Sequence, residues 1–328
     1  MIFLRRFLVV TLGLVSLAGL SPAWASDTVY KGAIIIDAVS GKVLFEDDAD
    51  IVSPPASITK LMTFLIVHDR LAQGTFTLQT PVPVSAASSR IGGTQVWLKE
   101  GESFPVEEML YALMIQSAND CAHALATLFG GTPEGFVVMM NARARELGMT
   151  NTTFRSPHGL PPSTRRTADG DLTSPRDLAT LSRYLLQHTD VLKYTAIEER
   201  VFREGEENGR IVMRNHNHLL GNVAGVDGLK TGYTRGAGFC LVATAFRGGR
   251  RIIAVSMGSP SAKIRDLKMA ELIARGFAEL PPSNSPLSLA PLPIAPEKAA
   301  SPIQLAPPPE AVPVNQESPV INFSIPKR

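Results

Sequence analysis

The stretch GFCLVATAFRGGRRIIAVSM, residues 238–257, decides the fold. It is rich in branched and other apolar residues and predicts two strands, over 238–247 and 251–257. Before this stretch, strands are predicted over 199–204, 210–214 and 227–232. After it, a last helix is predicted over about 262–280. The late part of the chain is therefore expected to form much of a sheet.

The early and middle parts of the chain predict a hairpin followed by helices. Residues 30–46, YKGAIIIDAVSGKVLFE, indicate two strands joined at Ser40-Gly41. Thr132 and Ser174, each followed by proline, are typical of helix N-termini, because a hydroxyl caps the first turn and proline fits its first position. Helices are predicted over 57–73, 105–116, 119–129, 132–149 and 174–188.

A hairpin, then helices, then antiparallel strands indicate one α+β domain over residues 26–280. Its antiparallel sheet would be built from both ends of the chain and would pack against a helical subdomain. This arrangement is the fold class that we expect.

Two segments lie outside this domain. Residues 1–25 have a basic start, an apolar run and a small-residue pattern that ends at Ala25, which is typical of a secretory signal peptide. Residues 281–328 contain 13 of the 25 prolines and predict a Pro-rich, disordered C-terminal tail. We therefore expect an exported protein.

Composition argues against several kinds of partner and site. The formal net charge of +2 equals the contribution of Arg5 and Arg6, so the chain after the signal peptide is neutral. A neutral chain argues against nucleic acid as the main partner. The two cysteines, Cys121 and Cys240, lie in apolar contexts and are expected to be buried free thiols. No Cys/His spacing indicates a metal site.

Ser57 and Lys60 lie at the start of a predicted helix, in SPPASITKLM at residues 53–62. Three residues apart on a helix, a hydroxyl and an amine share one face. The positive end of the helix dipole would stabilise an oxyanion beside Ser57. The S-x-x-K pattern alone is weak, because a helix cap and a surface lysine produce it as well.

Two later motifs make the pattern specific. They are QSANDC with Ser117 and Asn119, and VDGLKTGYT with Lys230, Thr231 and Gly232. The order S-x-x-K, S-x-N, K-T-G, at separations of about 60 and 110 residues, is that of penicillin-binding proteins and class A β-lactamases.

With these motifs the sequence resembles the low-molecular-mass penicillin-binding proteins, specifically the serine-type D-alanyl-D-alanine carboxypeptidases. TNTTFRSPHGL (150–160), LTSPRDLATLSRYLL (172–186), RNHNHLL (214–220) and MGSPSAKIRDLKMAELIARGF (257–277) also resemble that family. The resemblance covers about residues 28–280 and implies a β-lactamase/transpeptidase-like fold.

The resemblance implies roles in acyl transfer. Ser57 would be the nucleophile and Lys60 its base, so the pKa of Lys60 must fall from about 10.4 toward ~7–8. Burial and the positive charge of Lys230 would lower it. Ser117 would bridge the two lysines and pass a proton to the leaving amine. Asn119 would hold Lys60 and an amide of the substrate.

The resemblance also implies how substrate binds. The backbone N–H groups of Ser57 and Tyr233 would form the oxyanion hole. Gly232 would let the substrate backbone lie along the strand edge, next to Lys230 and Thr231. Thr231 would bind the terminal carboxylate.

Arg265 would be a second carboxylate-binding group. The alternative is that it forms a surface ion pair with Asp266 or another neighbour. His158 would lie near the hydrolytic water, or act only as a hydrogen-bonded scaffold residue. His216 and His218 are expected to be structural residues. Trp97 and Tyr111 are expected to be core or rim residues.

The activity implied is removal of the terminal D-Ala from peptidoglycan stem pentapeptides, through an acyl-enzyme on Ser57 that β-lactams would also form. No cofactor or metal is needed, and the location would be the periplasm, after secretion across the inner membrane. The alternatives are a D-Ala-specific endopeptidase that cuts peptide crosslinks, and a catalytically dead wall-binding protein.

Two departures from related proteins matter. A class A β-lactamase has a deacylating glutamate where this chain has FRSPHGL, residues 154–160, without an acid. That difference argues against efficient penicillin hydrolysis. The best-known carboxypeptidases add a β-rich domain and an amphipathic anchor, and only about 48 residues follow position 280 here. Membrane attachment is therefore doubtful.

Overall fold

A computed structural model of the protein describes residues 29–205 and 209–280. The predicted signal peptide and Pro-rich tail lie outside the described residues. The strands are β1 Gly32–Asp37, β2 Val43–Asp47, β3 Pro81–Pro83, β4 Ser103–Pro105, β5 Glu199–Phe202, β6 Ile211–Arg214, β7 Val226–Thr234, β8 Gly238–Arg247 and β9 Arg250–Ser259. The helices are α1 Lys60–Ala72, α2 Ala86–Ser89, α3 Val106–Tyr111, α4 Asn119–Gly130, α5 Pro133–Glu146, α6 Pro175–His188, α7 Val191–Thr195 and α8 Ala262–Glu279.

Strands from the two ends of the domain form one five-stranded antiparallel sheet, in the order β2-β1-β9-β8-β7. β1 joins the two ends, because it pairs with β2 on one side and with β9 on the other, where Ile34 lies opposite Val255. β7 is an edge strand that carries the K-T-G motif. The sheet built from both chain ends is thus confirmed.

The two faces of β1 lie in different hydrophobic cores. Ile34 and Ile36 belong to the larger core, which the helical part of the molecule fills, whereas Ala33 and Ile35 belong to a smaller core that includes residues of α8. Successive side chains of a strand point to opposite faces. An unbroken apolar run therefore suits a strand that is covered on both sides.

The helical part surrounds α1, whose first eight residues, Lys60 to Val67, are all buried. Two of the surrounding helices begin at the predicted caps. The N–H of Gly135 donates to Thr132 Oγ1 at 3.0 Å at the start of α5, and the N–H of Asp177 donates to Ser174 Oγ at 3.2 Å at the start of α6. Each cap satisfies an N–H group that has no partner within its helix.

Two predicted late strands do not join the main sheet. β5 and β6 form a two-stranded sheet of their own, which packs Phe202 and Met213 into the larger core. β3 and β4 form another small sheet that the sequence did not predict. Three of the residues in β3 and β4 are prolines, which usually argue against a strand: Pro81, Pro83 and Pro105.

Cys121 in α4 and Cys240 in β8 are buried and unbonded to each other, which confirms the two free thiols. Within residues 29–205 and 209–280, no helix combines the length and hydropathy that a membrane span needs.

Candidate active site

Ser57 lies in a short 3₁₀ turn, Ala56–Thr59, and α1 begins only at Lys60. The structure therefore differs from the single helix predicted over 57–73. Ala56 has a φ of +51°, a backbone conformation that costs a residue with a side chain about 1–2 kcal/mol. The turn places Ser57, which is half-buried, directly before the buried start of α1.

Two glycines approach this turn closely. A Cβ at Gly159 would overlap with the carbonyl oxygen of Ala56, and one at Gly232 would lie 2.5 Å from that of Pro55. Either Cβ would also lie 3.1 Å from the backbone nitrogen of Ser57. The sequence suggested that Gly232 leaves room for substrate. In the structure the chain's own backbone uses that room, which fixes the turn against β7 and the loop at Gly159.

The side-chain nitrogen of Lys60 lies beside the Ser57 hydroxyl. Lys60 Nζ is 3.1 Å from Ser57 Oγ, 2.6 Å from Asn119 Oδ1 and 2.8 Å from the carbonyl oxygen of His158. A neutral amine has two N–H donors and one lone pair. The Asn119 and His158 oxygens can only accept, so they take both donors and leave the lone pair for the Ser57 hydroxyl.

The electrostatics favour this neutral form. Burial first, and the positive charge of Lys230 second, lower the pKa of Lys60 well below its usual value, against the opposing effects of Asp171 and Asp120. Burial and the charge of Arg265 lower the pKa of Lys230 to about 7. Near neutral pH, the two buried lysines therefore carry less than two positive charges between them.

Ser117 and Asn119 lie at a break between two helices, as predicted. One turn of π-helix, Ala112–Gln116, follows α3, and Ser117 has a φ of +64° before α4 begins. Asn119 Nδ2 donates to the carbonyl oxygen of Gly92 at 2.8 Å. The amide oxygen of Asn119 is thereby oriented toward Lys60.

The contacts of Ser117 differ from the prediction. Its hydroxyl is buried and has no hydrogen-bond partner among the described residues, so it does not bridge the lysines. Lys230 Nζ instead donates to the carbonyl oxygen of Thr231 at 3.2 Å. A buried hydroxyl without a partner costs about 1–3 kcal/mol, and such groups are often found where function requires them.

The carboxylate-binding candidates lie on β7 and α8. Thr231 is buried on β7. Arg265, in the first turn of α8, is only 3% exposed and pairs with Asp266 at 2.6 Å. The ion pair expected between Arg265 and Asp266 is therefore present, but Arg265 is buried and the pair is not on the surface. Tyr233 is 56% exposed, and its ring stacks on Phe239 with centroids 4.1 Å apart.

Residues 22–261 match the family model described as D-alanyl-D-alanine carboxypeptidase. The chain belongs to this family. It is 36% identical over 249 residues to the D-alanyl-D-alanine carboxypeptidase DacF of Bacillus subtilis, across 76% of this chain and 62% of that protein. The chain spans between 60% and 64% of the length of three of its curated relatives.

Solved structures support the same family. Penicillin-binding protein 6B from Escherichia coli is 33% identical with a TM-score of 0.69, over 76% of this chain and 77% of that chain. The ampicillin-bound form of penicillin-binding protein D2 from Listeria monocytogenes is 29% identical with a TM-score of 0.68, over 76% and 97%. The penicillin-binding protein fold expected from the motifs is thus confirmed.

In this member of the carboxypeptidase family, two histidines lie near the lysines. Burial and Lys60 lower the pKa of His158 to about 3, and its Nδ1 accepts the N–H of Leu160 at 3.2 Å. His158 is therefore neutral, with its proton on Nε2. Burial and Lys230 lower the pKa of His216 to about 4. No local sequence pattern indicated that His216 lies this close to the site.

The surroundings of one more histidine and of two aromatic residues indicate their roles. His218 Nδ1 lies 3.0 Å from Asp266 Oδ2, in agreement with a structural role. Trp97 is 61% exposed with a φ of +50°, so it is a rim residue and not a core residue. Tyr111 is half-buried, and its ring lies 4.8 Å from that of Tyr194.

The sequence missed two buried carboxylates that support the site. Asp171 accepts hydrogen bonds from the N–H and hydroxyl of Ser156, from the N–H of Arg155 and from the hydroxyl of Thr59. It thereby ties the loop before His158 to the Ser57 turn. Asp120 accepts the N–H groups at positions 96 and 98, which fixes the loop that carries Trp97. Nothing in a single sequence separates such acids from surface ones.

Across the described ranges, no group of three or more His, Cys, Asp or Glu side chains could hold a metal ion. The site is instead built from a hydroxyl, two lysines, an amide and a buried arginine. Those groups suit nucleophilic attack on a carbonyl next to a carboxylate.

Proposed function

We propose that the protein is a serine-type D-alanyl-D-alanine carboxypeptidase that removes the terminal D-Ala from peptidoglycan stem pentapeptides. The observation that carries this proposal is the buried amine of Lys60, 3.1 Å from the Ser57 hydroxyl, with both carbonyl acceptors on its other side. Burial and Lys230 keep the pKa of that amine low, so it can accept a proton near neutral pH.

In the acylation step, Ser57 Oγ attacks the carbonyl carbon of the penultimate D-Ala while its proton passes to Lys60 Nζ. The developing oxyanion would be stabilised by the backbone N–H groups of Ser57 and Tyr233; one such donor typically contributes ~10²–10³ in rate. The C–N bond then breaks, and the leaving amine needs a proton. The proton would reach the amine through the Ser117 hydroxyl, which would have to turn toward Lys60 once substrate is bound. It is free to do so, because it has no partner among the described residues.

In the deacylation step, water attacks the ester carbonyl and regenerates Ser57. Neutral Lys60 would again take the proton, since its lone pair is directed to the same place. His158 is an unsuitable base, because its Nδ1 accepts a backbone N–H and its Nε2 carries the proton. Its role would be to hold Lys60 through its carbonyl oxygen.

The terminal carboxylate of the substrate would bind to Thr231 and Arg265, beside Lys230. Burial of Arg265 makes its charge effective, because a charge in a poorly solvated site interacts more strongly. β-Lactams would acylate Ser57 in the same way as the substrate. The predicted signal peptide supports secretion across the inner membrane and a periplasmic location.

The test compares two substrates, a peptide ending in Lys-D-Ala-D-Ala and a crosslinked dimer of stem peptides. Release of free D-Ala from the first without cleavage of the second is expected, with Ser57→Ala as the inactive control. Cleavage of the dimer alone would instead identify an endopeptidase. A chain that takes up no fluorescent penicillin and releases no D-Ala would be a wall-binding protein.

A further inference from the structure

A cavity of about 520 Å³ adjoins the Ser57 turn, and the catalytic steps above do not use it. Pro54 and Ala56 of the turn form one wall of this cavity. Other walls come from the loop that runs from Gly159 to Asp171, and from Thr234 at the end of β7 with the turn residues 235 and 236. The cavity is therefore next to the nucleophile but beyond the residues that bind the leaving group.

The direction of β7 shows which part of the substrate would reach this cavity. Along the strand, Thr231 comes first, at the carboxylate end, and Tyr233 follows at the oxyanion hole. A strand advances about 3.3 Å per residue. Thr234 ends β7, and the turn to β8, which contains Arg235 and Gly236, comes next. A peptide laid along this open edge strand would therefore place its acyl side, upstream of the scissile bond, against the cavity.

Two arginines give the cavity its charge. Arg165 and Arg235 line it, both are exposed, and neither has an ion-pair partner within the described ranges. Arg165 is held in a left-handed backbone conformation with a φ of +58°. The neighbouring acid, Asp169, instead accepts a hydrogen bond from Thr164 at 2.7 Å.

The one carboxylate in the cavity wall, Asp171, forms no ion pair with either arginine within the described ranges. Both oxygens of Asp171 already accept hydrogen bonds from groups of the chain itself. Two arginines and one carboxylate leave the lining with a net positive charge and two guanidinium groups available to a ligand. Guanidinium groups bind carboxylates in preference to neutral groups.

We propose that this cavity binds the acyl part of the stem peptide, and that Arg165 and Arg235 bind a carboxylate upstream of the terminal D-Ala-D-Ala. This inference rests on the proposed function. Two groups of a stem peptide could supply the carboxylate: the α-carboxylate of a γ-linked glutamate, and the second carboxylate of a dicarboxylic diamino acid.

Three synthetic stem pentapeptides distinguish these sources. One has all carboxylates free, one is amidated at the glutamate, and one is amidated at the diamino acid. We expect one of the two amidations to lower kcat/KM for D-Ala release about tenfold, mainly by raising KM. This is the size of effect expected when one charged hydrogen bond at an exposed site is lost. The amidation that has this effect identifies the carboxylate.

The arginine variants complete the test. Arg165→Gln and Arg235→Gln should remove the difference between acid and amide peptides. Arg166→Gln is the matched control, because it lies in the same loop, has a side chain that is 77% exposed and faces Asp169 at 3.9 Å. This control variant should distinguish the acid peptide from the amide peptides as strongly as the unaltered protein does.

Protection of Ser57 from fluorescent penicillin by each peptide provides a readout that does not need turnover. Equal protection by acid and amide peptides, or discrimination that survives in both arginine variants, would overturn the inference. If no peptide releases D-Ala although the acid peptide protects Ser57 best, the proposed carboxypeptidase activity is wrong and the binding inference stands.

Discussion

At the scale of single residues, the proposed activity requires one amine, that of Lys60, to be neutral inside the protein. Replacing Lys60 by alanine removes the base and leaves the Asn119 and His158 oxygens without their donor. We expect acylation of Ser57 by a penicillin to slow about 10²–10⁴-fold, the usual contribution of a general base. Stopped-flow or gel-based labelling measures this rate, and Lys263→Ala on the exposed surface of α8 is the control. Unchanged acylation would remove Lys60 from the role of base.

The pH dependence of acylation follows from the two lysines. The form with neutral Lys60 is the active one, so the rate should fall as pH decreases through the pKa of Lys60, which burial and Lys230 hold well below its usual value. Lys230→Met removes a positive charge that lowers the pKa of Lys60. The midpoint of the rate profile should therefore move to higher pH, even though the maximal rate also falls. A midpoint that stays or moves lower would contradict this coupling.

The sequence predicted which residues lie together at the site better than it predicted their hydrogen bonds. The S-x-x-K spacing brings Ser57 and Lys60 together, because three residues bring side chains to one face in a 3₁₀ turn as well as in an α-helix. The unpartnered hydroxyl of Ser117 and the position of His216 depend on how distant segments pack. A local sequence pattern does not predict how distant segments pack together.

At the scale of elements, the Ser57 turn is held by close backbone approaches, and this can be tested with glycine variants. Gly159 and Gly74 both have positive φ values, +83° and +80°, but only Gly159 lacks room for a Cβ. Gly74→Ala should cost about 1–2 kcal/mol of stability from its backbone alone and leave acylation unchanged. Gly159→Ala should cost more and slow acylation at least about tenfold, since displacement of the Ser57 turn disturbs the attack geometry.

Chemical denaturation and penicillin labelling measure the two effects. If Gly159→Ala does not fold, Gly232→Ala replaces it, because its Cβ would meet Pro55 without a positive φ. Normal acylation in either folded variant would show that the close approach does not position Ser57.

Elements with strong local signals were predicted, and elements made by tertiary contact were not. The caps at Thr132 and Ser174 and the hairpin at Ser40-Gly41 follow from residue types within four positions of each other. The 3₁₀ turn at Ser57 depends on Gly159, about a hundred residues away in sequence. Likewise, the N–H of Asn119 donates to the carbonyl oxygen of Thr94 at 2.8 Å, which positions the start of α4 against a separate loop.

At the scale of the whole molecule, the sheet and the helical part depend on each other, because the Ser57 turn lies between β7 and α1. The two buried thiols report on the two parts separately, since Cys121 lies in α4 and Cys240 lies in β8. Both side chains are fully buried, and burial raises the pKa of each thiol. A thiol reagent should therefore react with neither cysteine until the protein opens.

Because the two parts share this turn, we expect them to open as one cooperative unit. Native-state thiol labelling, read by mass spectrometry of the two cysteine peptides, should give the same opening free energy for both within about 1 kcal/mol. Acylation of Ser57 by a slowly released β-lactam should slow both labelling reactions equally, since the bound acyl group stabilises the folded state that contains the complete site. Faster labelling of Cys121 alone would show that the helical part opens by itself and that the Ser57 turn does not couple it to the sheet.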